Sequence, residues 1–330
     1  MSFQILTDGL ADLPAFWLRQ HENVTVIDTP VTVTGPDLCE VYNHMSADDF
    51  MELDELVRKR GARTMTSQPR VRDPFCEDPE SVESIVRSFL ANGTDVIYLA
   101  MSSTLSGTYG TITMLFRELN EEYEGRAKAY CIDTTCASTG LALLIMELFE
   151  AMDAGEVETI GQIGDFVQKN RGFIGHYFTW ANLDYIRNSG RVNVVEATAT
   201  KVLGLRLIGC NILTDNDERR LEVLNRRALF RGISRWGDFV GEYAAKHITD
   251  PCGRIIVAHG NSPRDAEIIV ERMKRFLPNA QYLYGHEWRC GAAIQCHGGP
   301  SSIHVNFHID SIEHLSYTSS EFAHIIKNKH

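Results

Sequence analysis

Residues 96–110, VIYLAMSSTLSGTYG, restrict the fold more than any other stretch of the chain. Val96 through Met101 form an unbroken apolar run, the pattern of a strand buried on both faces. Ser102, Ser103, Thr104, Ser106, Gly107 and Thr108 then bring hydroxyls and glycine, and Ile112, Leu115, Phe116 and Leu119 follow at helical spacing. The same strand, polar turn and helix recur twice. One copy runs from Phe3–Gln4–Ile5–Leu6 into Thr7-Asp8, the other from Ala129–Tyr130–Cys131–Ile132 through Asp133-Thr134-Thr135 into an apolar helix over 137–152. Alternating strands and helices predict a parallel sheet with right-handed crossovers, and ligands bind outside the carboxyl ends of such sheets. The free N–H groups of a helix's first turn favour an anion there, and short hydroxyls add donors. The bland alternative is that these Ser and Thr residues are helix caps and nothing more.

The remainder reads in order as follows. Asp12 is an expected N-cap with Pro14 at the helix start. Ser46-Ala47-Asp48-Asp49 is a capping box opening a helix to Val57. Residues 64–69 have no apolar period and read as loop, and 80–90 read as helix. Beyond a change of pattern within 153–172, strands are expected at 173–178, 254–260 and 303–307. Helices are expected from Ala181, over 225–247 and over 263–276, whereas 203–213 is open between loop, helix end and strand. Residues 294–300 lead into the last strand, and 316–330 form a polar tail that frays. The expected fold is α/β, with a parallel-sheet, Rossmann-like N-terminal domain over 1–165 and a second α/β domain with a mixed sheet over 166–330.

Composition narrows the function. A net charge of −12 leaves no cationic excess to displace counterions, so nucleic acid is an unexpected partner. No run reaches the roughly 18 apolar residues of a membrane span, and the first residues carry Asp8 and Asp12 without a basic region, so neither stable membrane insertion nor export is expected. The eight cysteines are scattered without a C-x-x-C pair, which reads as reduced thiols in a cytoplasmic protein. Cys296-His297 lacks partners at zinc spacing, so no metal site is expected.

Six motifs stand in order along the chain: Leu6-Thr7-Asp8-Gly9-Leu10-Ala11-Asp12-Leu13-Pro14, Thr66-Ser67-Gln68-Pro69, Ser102-Ser103-Thr104-Leu105-Ser106-Gly107-Thr108-Tyr109, Ile132-Asp133-Thr134 with Ala137-Ser138-Thr139-Gly140, Asn182 through Val192, and His297-Gly298-Gly299-Pro300. Together they resemble the DegV family, bacterial fatty-acid-binding proteins that serve a fatty acid kinase. The chain departs from the family pattern at Gly9-Leu10, at Arg206 and at Ser301. The resemblance implies a two-domain protein, not itself an enzyme and without a cofactor. It would bury a long-chain fatty acid and present the carboxylate to a partner fatty acid kinase, which forms the acyl phosphate. It also implies that Thr66 and Ser103 hold the carboxylate, with Ser67 and Ser102 in support and His297 as a further contact. A tail of about fifteen methylenes gains roughly 0.8 kcal/mol per buried CH₂, about 12 kcal/mol before association costs.

Two other classes stay open on residue types. A serine-dependent lipid or ester hydrolase could draw on Ser103 or Ser106, His259 or His297, and Asp8 or Asp133, although no G-x-S-x-G elbow is present. A small-molecule kinase subunit would have to work without G-x-x-x-x-G-K-[ST], and no G-x-G-x-x-G marks a dinucleotide site. Arg226-Arg227 with Arg231 and Arg235 reads as a solvated helix face, or as a dock for an acidic kinase surface.

Overall fold

The computed structural model describes residues 3–35, 37–60, 64–73, 78–188, 205–206, 208–213, 219–224 and 230–310. Residues 189–192 of the Asn182 motif, Cys76, Arg226, Arg227 and the 316–330 tail lie outside the described residues.

Strand Phe3–Asp8 sits between Val24–Ile27 and Asp95–Ala100, with Ala129–Asp133 beyond, and all three pairings are parallel. The expected polar turns therefore leave this sheet on one edge. They are laced together there: Thr7 Oγ1 donates to the Leu99 carbonyl (3.0 Å), Thr134 Oγ1 to that of Ala100 (2.7 Å), and the Ser102 N–H to that of Cys136 (2.8 Å). The strand order reverses between Phe3–Asp8 and Asp95–Ala100, and a sheet of this kind opens its ligand crevice at such a point.

The second sheet has six strands and is mixed. Ile174–Trp180 and Ser302–His308 form its antiparallel centre, Arg254–His259 pairs antiparallel with the latter, and Gln281–Arg289 closes that side in parallel. Helix Ser138–Asp153 is apolar nearly all round, the signature of a helix with no solvent face. It packs between the sheets, its Leu141, Leu144 and Leu148 in one core with Ile5 and Leu99 of the first sheet and Ile256 and Ala258 of the second. The parting expected at residues 165–166 falls within helix Ile160–Asn170.

Several expectations need correction. Thr64–Ser67, read as loop, is a strand paired with Val31–Gly35, whose other neighbour, Leu38–Tyr42, was unforeseen. Four residues are too few for period two to show. Asp12 is no N-cap: its backbone is left-handed (φ 47°), helix Ala15–Leu18 starts behind Pro14, and its carboxylate is used elsewhere. The helix expected over 225–247 begins at Ile233 behind Gly232 (φ 84°), and Phe230–Arg231 instead pairs with Leu205–Arg206. Residues 225–229 lie outside the described residues. Residues 292–298, expected as an approach to the last strand, form helix Ala292–Gly298. The Ser46 capping box forms as expected, with Asp49 N–H donating to Ser46 Oγ and Ser46 N–H to Asp49 Oδ2.

Candidate functional site

A cavity of about 470 Å³ lies where the carboxyl edge of the parallel sheet meets the second sheet. Its volume falls in the range of about 300–1,000 Å³ typical of small-molecule sites. The first sheet contributes residues just past its strands: Leu10, Met101, Thr104, Leu105, Ser106, Ala137 and Ser138. The second sheet contributes Phe178, Trp180, Gly209 and His304, and helix Ala292–Gly298 adds Ile294, His297 and Gly298. The wall is mostly aliphatic and aromatic; of its polar groups Ser67, Thr104, Ser106 and His297 reach solvent, whereas Ser138 and His304 are buried. Ser67 and His297 are half-buried and Thr104 is exposed, whereas Met101, Phe178 and Trp180 are buried. The cavity thus runs from a hydroxyl-bearing rim to a largely apolar interior.

Ser67 and His297, 230 residues apart, are joined by a hydrogen bond of 3.1 Å between Oγ and Nε2. Ser67 Oγ gives its one proton to the Ala293 carbonyl (2.8 Å), so toward His297 it accepts, and Nε2 carries the hydrogen. In the facing loop Ser102 Oγ pairs with Thr104 Oγ1 (2.9 Å) and Ser106 Oγ with Thr108 Oγ1 (2.8 Å). Helix Thr108–Glu122 starts directly behind, its positive N-terminal end toward these hydroxyls. The hydroxyl pairs and the helix N-terminus on this rim can receive an oxyanion, beside a Ser67–His297 pair whose protons are given to the Ala293 carbonyl and to Ser67 Oγ.

Of the residues expected from the sequence, Ser67 and His297 line the cavity together. Ser102 is buried between the lining residues Met101 and Thr104, its hydroxyl committed to Thr104. Ser103 is exposed and off the wall, its N–H donated to Asp133 Oδ1 (3.2 Å). Thr66 is exposed too, because strand alternation turns it away from the face that carries Ser67. Gly209, Phe178, Trp180 and His304 went unnoticed as site residues in the sequence.

The hydrolase candidates do not assemble among the described residues. Ser106 pairs with Thr108, Asp133 Oδ1 accepts from the N–H groups of Ser103 and Thr135, and Asp8 accepts from Leu10 N–H and the Tyr98 hydroxyl (both 2.9 Å). Burial pushes the Asp8 carboxyl up to about 6 against those two bonds. Asp12 accepts from Ser138 Oγ (2.5 Å) and Gly291 N–H (2.7 Å), tying the first polar turn to the start of the Ala292–Gly298 helix. Burial pushes its carboxyl up to about 7, opposed first by the Ser138 bond. No cluster of three or more metal-ligating side chains occurs among the described residues, and no described helix is long and apolar enough to cross a membrane. A larger cleft of about 760 Å³ lies beyond Gly9 and Ala292, but Asp8, Asp12, Arg19, Asp28, His44 and Arg289 line it, and charges of both signs do not suit an aliphatic chain.

The family profile described as "Uncharacterised protein, DegV family" matches residues 2–308. A DegV domain-containing protein of Clostridium perfringens is 26% identical over 317 residues, covering 94% of this chain and 99% of its own length. Among solved structures, the Streptococcus pneumoniae fatty acid kinase B3 protein loaded with linoleic acid superposes with a TM-score of 0.69 at 18% identity, over 94% of this chain and 100% of that one. A DegV family protein from Eubacterium eligens loaded with heptadecanoic acid gives 0.72 at 14% identity, with the same 94% and 100% coverage. At these identities the structures show a shared fold. With the profile spanning nearly the whole length, the chain belongs to the DegV family.

Proposed function

We propose that this protein binds a long-chain fatty acid in the 470 Å³ cavity and presents its carboxylate at the rim to a partner fatty acid kinase for acyl-phosphate formation. The observation that carries this reading is a largely apolar cavity whose solvent side carries Ser67, His297, Thr104 and Ser106. Relatives of the same fold loaded with linoleic and heptadecanoic acids support it. Chain burial supplies affinity, and the rim supplies orientation with charge-assisted hydrogen bonds. The chemistry belongs to the kinase: this chain positions the carboxylate, needs no cofactor, and works in the cytoplasm without nucleic acid or stable membrane insertion. Each of the two α/β domains carries one of the two larger sheets, so the cavity between those sheets is also the domain junction.

Within this reading Ser67 and His297 hold the head by turning their protons to it from the Ala293 carbonyl and from Ser67 Oγ. Ser102 stiffens the facing loop, and Thr66 and Ser103 stand at the solvent edge where the kinase approaches. Ser67→Ala and His297→Ala are each expected to weaken fatty acid binding by about 1–3 kcal/mol, the cost of leaving a charged group short of a partner. Thr66→Ala and Ser103→Ala are expected to cost under about 1 kcal/mol, as exposed hydroxyls exchange readily with water. Calorimetric titration with a fatty acid and with its methyl ester checks both statements. Equal affinity for acid and ester in the wild type would remove the carboxylate-holding rim. Mass spectrometry of the lipid extracted from purified protein tests the carrier itself, because a hydrolase or sugar kinase should retain no intact acyl chain.

A further inference from the structure

The polar side chains on the face of the second sheet turned toward helix Ser138–Asp153 include His176, His304 and Asn306. Two are fully engaged by the protein. His176 Nε2 accepts from the Ala137 N–H (3.2 Å) while its Nδ1 meets the Ile174 carbonyl (3.0 Å). Asn306 accepts from Thr139 Oγ1 (2.7 Å) and donates to the Gly175 carbonyl (3.2 Å). His304 differs. It lines the cavity, is 5% exposed, and neither ring nitrogen meets a hydrogen-bonding partner among the described residues. Its edge contacts are aromatic, with the Phe178 ring 4.6 Å away, centroid to centroid.

We propose that the fatty acid taken by this cavity carries a hydroxyl group on its chain, and that His304 is the specificity-determining residue that hydrogen-bonds it. The inference rests on the carrier reading above and names the ligand class within it. Burial, with the His176 and His259 rings nearby, pushes the His304 imidazole down to about 3, so near neutral pH the ring has one N–H and one bare nitrogen. Such a ring suits a hydroxyl, which can accept from the N–H or donate to the bare nitrogen, one of the two at a time. It does not suit the carboxylate, which would be desolvated at the deep end without a cation, whereas the rim offers donors and water. A plain methylene beside His304 leaves both nitrogens unpaired in an apolar wall, and such a site discriminates against the analogue that lacks the hydroxyl.

The test compares stearate with a set of hydroxystearates whose hydroxyl is moved along the chain, by calorimetry on the full-length wild-type protein. At least one isomer is expected to bind about tenfold more tightly than stearate, the fold-change for one buried polar group paired rather than left bare. That preference should vanish in His304→Phe and persist in His304→Gln. Ring-nitrogen NMR shifts of His304 in the wild type, moved by the preferred isomer and not by stearate, give a reading that needs no variant. Stearate binding as tightly as every isomer overturns the hydroxyl assignment and leaves the carrier reading standing. A preference that survives in His304→Phe overturns the role of His304. If neither stearate nor any isomer binds, the carrier reading fails and the hydroxyl proposal with it.

Discussion

Gly140→Ala is expected to destabilise the protein by about 3 kcal/mol or more, although it adds one methyl group. A Cβ at Gly140 would lie 2.1 Å from His176 Nε2 and 2.5 Å from Cδ2. The ring cannot swing away cheaply, because its two nitrogens engage the Ala137 N–H and the Ile174 carbonyl, both inside the layer shared by the two sheets. Overpacking costs about 1–3 kcal/mol, and orphaning the two backbone groups adds roughly 1–3 kcal/mol each. Urea unfolding of Gly140→Ala, His176→Ala and the double variant checks the cause. Removal of the ring should make the methyl group nearly harmless, a strong non-additivity between touching residues. Strictly additive losses would show that the clash is not what requires glycine here.

The stability advantage of the wild type over His176→Asn is expected to shrink by about 3 kcal/mol between pH 7 and pH 4. Burial pushes the His176 imidazole down from 6.5 to about 4, against its hydrogen bond to the Ile174 carbonyl. Above pH 6.5 the ring is neutral in both states, and its full contribution is present. As the pH falls below 6.5 the unfolded chain takes up a proton that the folded ring refuses until about 4, so stability is lost across that window. Asp8 and Asp12 act in the opposite sense. Their raised carboxyls take up protons in the folded state at about 6 and 7, before the unfolded chain does at 3.8, which adds stability toward acid. Both proteins share that contribution, so it cancels in the difference. Denaturant midpoints for the pair at several pH values read the effect, and a gap independent of pH would contradict it.

The part of this fold visible in the sequence is the part written in short periods. The run from Val96 to Met101, the hydroxyl turns at Thr7, Ser102 and Asp133, and the apolar helix from 137 each span a few turns or one strand, so periodicity reports them directly. Their meeting at one sheet edge followed from the parallel arrangement that strand–helix alternation demands. Other elements left little local trace. Thr64–Ser67 is four residues long, and Ala292–Gly298 is a seven-residue helix closed by Gly298 and its cap Gly299, too short for a helical period to show. Local pattern therefore puts Ser67 on a loop and its partner His297 on an approach to a strand.

His304 shows the limit most clearly. In Ser302–His308 the alternation sets Ile303, Val305 and Phe307 on one face and Ser302, His304 and Asn306 on the other, and a polar face ordinarily turns to water. Here helix Ser138–Asp153 and the first sheet cover it, and Thr139 supplies the partner that Asn306 needs.

By itself the amino-acid sequence determined the element types of the first sheet, the edge where its polar turns collect, and the family. Only tertiary structure decided which of those hydroxyls face a cavity, that Ser67 rather than Thr66 turns toward His297, and that a histidine stands in the deep wall. The reason is range. Backbone pattern depends on residues within about a turn of one another, whereas this cavity closes between side chains as far apart as Leu10 and His304.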